Sequence, residues 1–62
     1  MSKYSCRFLN KSNRIDDVTT FECDTDQLAQ IRASGLFARS EFPAMELWLP
    51  DRMIAREEKA TS

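Results

Sequence analysis

The feature that most constrains the fold is a change in apolar spacing in the middle of the chain. Up to Cys23, apolar residues alternate with polar ones, which is typical of a half-buried strand. From Leu28 onward the apolar spacing becomes three and four, as in a helix. Asp24 is a good N-cap, because its carboxylate can accept from free backbone N–H groups, and Gln27 can reach back in a capping box. The junction predicts a strand that ends at Cys23 and a helix that begins at about Thr25.

A hairpin is predicted before this junction. Residues 4–9 and residues 15–23 each alternate apolar with polar side chains, and both are expected to be strands. The polar run at 10–13 is expected to be a tight turn, since Asn tolerates left-handed conformations and Ser and Asn side chains bond nearby backbone. A turn centred on its last two residues predicts two opposed pairs on one face of the hairpin, Tyr4 with Phe21 and Cys6 with Thr19.

The helix is predicted over residues 25–39. Its apolar stripe is expected to contain four residues that lie close together on a helical wheel, namely Leu28, Ile31, Gly35 and Ala38. A Gly in a helix interior costs about 1 kcal/mol relative to Ala. Gly35 is therefore expected either to permit close packing on the sheet or to mark an early helix end.

A second hairpin is predicted after the helix. Residues 45–49 alternate as a strand, Pro50-Asp51 suits the centre of a type I turn, and residues 53–55 continue as a short fourth strand. Residues 57–62 are polar and are expected to be a disordered tail. The prediction is one small α+β domain over residues 1–56, a four-stranded antiparallel sheet in ββαββ order with one helix packed on one face.

Composition argues against several classes of function. The chain of 62 residues has a net charge of −1, which gives no global attraction to nucleic acid or to anionic membranes. It contains no His, and this excludes Cys–His zinc sites, serine triads and Cys–His nucleophile pairs within one chain. Asp24 and Asp26 open like a calcium loop. However, Ala29 stands where that loop needs Gly, and Gly35 stands where it needs Glu. We therefore expect a protein that is not an enzyme and has no cofactor or metal.

The two cysteines, Cys6 and Cys23, lie in apolar alternating segments. The N-terminus has no apolar signal-peptide core, and no apolar run approaches the roughly 20 residues needed to span a bilayer. A cytoplasmic protein without a membrane partner is therefore expected, with both cysteines reduced and buried. Whether the two thiols are close enough to oxidise is open from the sequence.

Several short groups of residues along the chain form a more specific pattern. They are Tyr4, Phe8-Leu9, Arg14-Ile15, residues 21–24, Asp26 and Ala29, followed by Glu46-Leu47-Trp48 and residues 51–56. This pattern resembles a family of very short, uncharacterised alphaproteobacterial proteins with no assigned activity. The resemblance implies the fold and brings no catalytic or binding residues. The chain has Asn13 and Pro50-Asp51 where the family has a turn Gly, and residues 37–42 form an unusual insert.

Trp48 has the most potential for contact with a partner. It shares a strand face with Glu46, whereas Leu47 and Leu49 point to the other face. If the helix covers the leucine face, Trp48 lies on the outer side of the sheet; the alternative places Trp48 in the core. A Trp near Arg side chains can stack with a guanidinium or anchor a partner. The candidate partner-binding residues are Trp48, Arg52, Arg56 and Arg7.

Two functions follow from these residues. The preferred hypothesis is a non-enzymatic protein-interaction or self-association module that uses the open sheet face or an edge strand. It depends on a surplus of large apolar residues that one helix cannot cover, namely Trp48, Phe37, Phe42 and Leu36. The alternative is a nucleic-acid-binding accessory protein with a basic strip beside Trp48, formed by Arg7, Arg14, Arg52 and Arg56. Acidic residues such as Glu46 and Glu58 can neutralise that strip, which favours a solvated, cross-paired sheet face.

Overall fold

In the computed structural model, which describes residues 2–59, four strands and one helix follow one another in the predicted order. In chain order they are β1 (Ser2–Leu9), β2 (Ile15–Cys23), α1 (Asp26–Arg39), β3 (Ala44–Leu49) and β4 (Arg52–Glu58). The strands form one antiparallel sheet in the order β2-β1-β3-β4, so the two hairpins meet along β1 and β3. The predicted α+β fold with ββαββ order is confirmed.

The β1–β2 hairpin has the predicted register, with Tyr4 opposite Phe21 and Cys6 opposite Thr19. Its turn is organised by Asn10, whose Oδ1 accepts from the backbone N–H groups of Ser12 and Arg14 at 2.8 and 3.2 Å. Asn13 has a φ of 61°, in the left-handed region that Asn adopts more readily than most residues. The polar turn residues therefore fix the register of the hairpin.

The last strand is longer than predicted. Residues 57 and 58 belong to β4 and pair with β3, so the prediction that they begin a disordered tail is wrong. Lys59 continues this attachment, because its backbone N–H donates to the carbonyl of Pro43 at 2.8 Å. The rest of the predicted tail, residues 60–62, lies outside the described residues.

A β-bulge interrupts the pairing of β3 with β4. Leu47 pairs with Ala55 and Trp48 pairs with Met53, so Ile54 has no partner in β3. One extra residue reverses the side to which the following side chains point. Residues 52 and 56, which would share a face in a regular strand, therefore lie on opposite faces of the sheet.

The core lies between the sheet and the helix. Four side chains of the central strands are at most 1% exposed, namely Tyr4, Cys6, Met45 and Leu47. Phe8 packs beside them and its ring stacks on that of Phe42, with centroids 5.4 Å apart. The helix contributes Ala29, Ala33 and Phe37 to this cluster.

The predicted apolar stripe of α1 is on the wrong side of the helix. Leu28 and Ile31 are 52% and 63% exposed, and a Cβ added to Gly35 would meet no atom within 4 Å. The helix neither ends at Gly35 nor uses it to approach the sheet. The sheet side of the core is already filled by large side chains, and only the row that begins with two alanines, Ala29 and Ala33, fits closely against it.

The N-cap of α1 also differs from the prediction. Thr25, not Asp24, is the cap: it has extended backbone angles, and its Oγ1 accepts from the backbone N–H of Leu28 at 3.2 Å. Threonine and aspartate are both good caps. The strand ends at Cys23 as predicted, and the helix begins at Asp26, one residue later than predicted.

Polar contacts tie the helix to the sheet at three levels. At its first turn, the Tyr4 hydroxyl donates to Asp26 Oδ1 at 2.6 Å. At its middle, the Ser34 hydroxyl donates to the Glu57 carboxylate. Beyond its last turn, the Lys59 ammonium donates to the carbonyl of Ser40. These hydrogen bonds fix the orientation of the helix on the sheet, since small side chains such as Ala29 and Ala33 make up much of its packed side.

Both cysteines are buried and free, as predicted. Cys6 pairs with Thr19 across the β1–β2 hairpin, whereas Cys23 pairs with Ser2. The two are thus four residues apart along the ladder, about 13 Å at the rise of a strand. A disulfide requires Cα atoms within about 7 Å, so the folded hairpin keeps the two thiols from oxidising to each other.

Candidate interaction surface

The sheet face opposite the helix, here called the open face, follows from the strand register. Its side chains alternate with those of the core along the strands, except at the bulge in β4. They include Lys3, Ser5 and Arg7 of β1, Val18, Thr20 and Glu22 of β2, Glu46 and Trp48 of β3, and Met53, Arg56 and Glu58 of β4. The open face therefore brings together Arg7, Trp48 and Arg56, three of the four candidate partner-binding residues.

Trp48 is half-buried near the middle of the open face. The Arg7 guanidinium carbon lies 4.6 Å from the centroid of its ring, within the range of a cation–π contact. The indole Nε1 donates to Glu46 Oε1 at 3.1 Å. Of the two sequence interpretations, the outer-face position of Trp48 is confirmed. The ring is held in one orientation by a cation above it and a carboxylate at its edge.

The carboxylate that holds Trp48 is itself held from the neighbouring strand. Arg56 lies directly opposite Glu46, and its Nη1 donates to Glu46 Oε2 at 2.6 Å. The other terminal nitrogen of Arg56 bonds Glu58 at 3.1 Å and the side-chain oxygen of Asn13 at 3.3 Å. The hydrogen bond to Glu58, supported by that to Glu46, raises the pKa of Arg56 above its ordinary value. Trp48 is therefore ordered by a network that spans three segments of the fold.

Arg52 is not part of this surface, and the prediction that it lies beside Trp48 together with Arg56 is wrong. Its Nη2 lies 3.6 Å from Asp26 Oδ2, beside the first turn of the helix. In a regular strand, residues 52 and 56 would share a face. The bulge at Ile54 reverses that relation, so Arg52 lies on the helix side of the sheet.

The charges of the open face balance. Three cations and three carboxylates share it, namely Lys3, Arg7 and Arg56 with Glu22, Glu46 and Glu58. Arg56 is paired with two of these carboxylates. Within residues 2–59, Arg7 has no carboxylate at ion-pair distance, and its guanidinium contacts the indole instead. The face is therefore close to neutral, with one cation left available beside the aromatic ring.

Exposed apolar side chains flank Trp48 and Arg7. Met53 lies opposite Trp48 and is 46% exposed, and Val18 lies opposite Arg7 and is 48% exposed. Neither residue was among the candidate partner-binding residues. Alternation with Thr19 could have indicated the outer face for Val18, whereas the bulge that places Met53 there is not visible in the pattern.

Three of the large apolar residues counted as surplus belong to the core. Phe37 is buried on the inner side of the helix, and Leu36 and Phe42 pack partly buried against the same cluster. The prediction that they form an uncovered surplus is wrong, because Leu36 and Phe37 belong to the helix itself and Phe42 stacks on Phe8 of the core. Of the four, only Trp48 lies on the open face.

A depression of about 610 Å³ adjoins the network at the end of the open face. Its lining includes Asn10, Asn13, Ala44, Arg56 and Glu58. Two of these residues, Arg56 and Glu58, bond each other. The depression extends the polar rim of the surface around Trp48.

No family model, curated protein or solved structure matches the chain. The resemblance to short alphaproteobacterial proteins therefore stays a prediction. In residues 2–59, the helix is too short and too polar to cross a membrane. The same residues contain no group of three or more acidic or Cys side chains arranged to hold a metal ion. Fold and surface together define a small α+β domain with an ordered aromatic patch on its uncovered sheet face.

Proposed function

We propose that this chain is a non-enzymatic protein-interaction module that binds a partner protein through the open face, with Trp48 as the anchor. The observation that carries the proposal is the restraint on Trp48, which is stacked under Arg7 and hydrogen-bonded to Glu46. An aromatic side chain ordered before binding loses little entropy when a partner covers it. Trp and Arg are also the residues most enriched among interface hot spots.

The charge balance supports a protein over a nucleic acid as the partner. A surface that follows a phosphate backbone needs cations that are free to bind phosphate. On the open face Arg56 is already paired with Glu46 and Glu58, and Arg52 lies on the other side of the sheet. Only Lys3 and Arg7 are left on the face as cations without an ion pair among the described residues. We therefore place the nucleic-acid alternative second.

The residues around Trp48 indicate the chemistry of the partner surface. Trp48, Met53 and Val18 offer an apolar centre, which fits an apolar patch on the partner. Arg7 at its edge fits a carboxylate of the partner. We propose that the module works in the cytoplasm, where its two free buried thiols would stay reduced.

Capture experiments with matched variants test the proposal. Protein from cells that express the chain would be captured on the wild type, on Trp48→Ala, on Arg7→Glu and on Gln30→Ala, a control on the exposed helix surface. We expect a partner that the wild type and Gln30→Ala retain equally. Trp48→Ala should weaken it by about 2 kcal/mol or more, about thirtyfold in affinity. Partners that bind both open-face variants as well as the wild type would contradict the proposal.

Fluorescence separates the protein partner from a nucleic acid, because Trp48 is the sole Trp in the chain. Titration with the purified captured protein should shift the emission of Trp48 as the ring is covered. A mixed-sequence single-stranded oligonucleotide at low salt should leave the emission unchanged. Salt-dependent quenching by the oligonucleotide, lost in an Arg7→Ala, Arg56→Ala double variant, would instead establish the nucleic-acid alternative.

A further inference from the structure

The outward side of α1 carries an apolar seam that no part of the described chain covers. Its members are spaced by three, four and three residues, namely Leu28, Ile31, Gly35 and Ala38. At 100° per residue they lie within a narrow arc opposite the buried Ala29 and Ala33. Leu28 and Ile31 are more than half exposed. This spacing is that of the a and d positions over two heptads, the pattern by which one helix packs on another.

The seam is self-complementary in size. In an antiparallel pair of helices, a positions meet d positions of the other helix, so Leu28 would lie against Ala38 of the second copy and Ile31 against Gly35 of the second copy. Each contact joins a large side chain to a small one. The space over Gly35 is empty, since a Cβ there would meet no atom within 4 Å. It can therefore receive the Ile31 side chain.

The charges at the ends of the seam are complementary in the same orientation. Asp24 precedes the first turn of α1 and Arg39 lies in its last turn, and both are exposed. Neither has an ion pair within residues 2–59. An antiparallel pair brings each Arg39 toward Asp24 of the other copy. It also places the positive end of each helix dipole beside the negative end of the other.

One cation near the centre of such a pair could oppose it by repulsion with its own copy. This is Arg32, which lies one residue beyond Ile31 on the flank of the seam. Its guanidinium carbon is 5.4 Å from the centroid of the Phe21 ring, which directs it toward the edge of the sheet. The contact with Phe21 draws the charge away from the axis of the pair.

We infer that two copies of this chain associate through antiparallel packing of their α1 helices along the Leu28–Ala38 seam. The occupant of the seam is thus a second copy, chosen by the match of large to small side chains and of Asp24 to Arg39. Two short helices bury less than the roughly 1,200 Å² of a standard stable interface. The dimer is therefore weak and depends on concentration. This inference concerns the layer opposite the open face and does not rest on the proposed function.

Sedimentation equilibrium over a series reaching millimolar concentration tests the inference. The mass of the wild type should rise from one chain toward two. Ile31→Asp should stay monomeric, because a carboxylate would enter the seam, whereas Gln30→Asp, with the same added charge outside the arc of the seam, should dimerise like the wild type. Both changes are at exposed positions, and circular dichroism would verify their folding. A wild type that stays monomeric, or an Ile31→Asp variant that dimerises equally, would overturn the inference.

Charge reversal tests the orientation. Asp24→Arg and Arg39→Asp should each weaken the dimer, roughly five- to tenfold, because each variant replaces two attractive pairs with repulsive ones. The double variant that exchanges the two charges should recover the wild-type dissociation constant within about twofold. Failure of that recovery would overturn the antiparallel arrangement. A Trp48→Ala variant should dimerise normally; its loss of association would assign the dimer to the open face instead.

Discussion

Tyr4 links the central strand to the start of the helix. Its ring is buried against Phe21, with centroids 6.0 Å apart, and its hydroxyl donates to Asp26. The hydrogen bond to Asp26, together with burial, raises the pKa of Tyr4 from its ordinary value of about 10 to about 12. Burial, with the nearby Glu57 carboxylate, likewise raises the pKa of the Cys6 thiol to about 11. Both groups therefore resist ionisation only while the protein is folded.

These two groups give the protein an alkaline limit. Because a raised folded-state pKa favours folding only while the group is protonated, their contribution is complete below about pH 9 and is lost progressively toward pH 12. Tyr4→Phe should lower stability at neutral pH, since Asp26 loses its donor, and should flatten the decline between pH 10 and 12. Urea unfolding from pH 8 to 12 measures both effects. An unchanged decline in Tyr4→Phe would show that the Tyr4 hydroxyl does not titrate in this range.

At the scale of the element, the two faces of the helix should tolerate an enlarged side chain differently. Ala33 is fully buried against the sheet, whereas Gly35 faces open space. Ala33→Leu should therefore destabilise the fold by about 1–3 kcal/mol through overpacking. Gly35→Ala, two residues away, should stabilise it by up to about 1 kcal/mol through helix propensity. Urea unfolding at low protein concentration measures both, and equal effects of the two variants would contradict the assignment of the faces.

Sequence reasoning succeeded for the strands where a local signal existed. The Asn-rich turn is short, so the opposed pairs Tyr4–Phe21 and Cys6–Thr19 followed by counting. The sequence of α1 carries, beside the predicted stripe, a second apolar row of Ala29, Ala33 and Phe37, and a helical wheel does not state which row meets the sheet. That choice depends on the volume already occupied by Met45 and Leu47, which is a tertiary property. Alternation separated Trp48 from Leu47 and Leu49 but left open which of the two faces the helix covers, and only the fold decides that. The separation of Arg52 from Arg56 required the bulge at Ile54.

At the scale of the whole molecule, the sheet order β2-β1-β3-β4 joins the N-terminal hairpin to the C-terminal hairpin along β1 and β3. The hairpins could meet along other edges without changing any local pattern, so the sequence does not state this order. It places Cys6 on a central strand, where its side chain is fully buried, and leaves Cys23 at the end of an edge strand, where it is 8% exposed. The reactivity of Cys23 should therefore report local fraying of β2, and that of Cys6 the unfolding of the whole domain.

Thiol labelling should resolve those openings. We expect a disulfide reagent at neutral pH to modify Cys23 first, through fraying at the end of β2, and Cys6 only at the rate of global unfolding. Adding urea below the unfolding midpoint should accelerate Cys6 much more than Cys23. Mass spectrometry of digested samples would give both rates. Reaction of Cys6 as fast as Cys23 would mean that the centre of the sheet opens without unfolding of the domain.

The fold has only two layers, and this sets how many partners one assembly can hold. The aromatic patch of the sheet and the seam of the helix point in opposite directions, so neither obstructs the other. A dimer joined at its helices would carry its two Trp48 patches on outward sides, facing away from each other. Such a dimer cannot bind one small target through both patches at once. It would bridge two targets instead, and could convert a weak single contact into a cross-link between them.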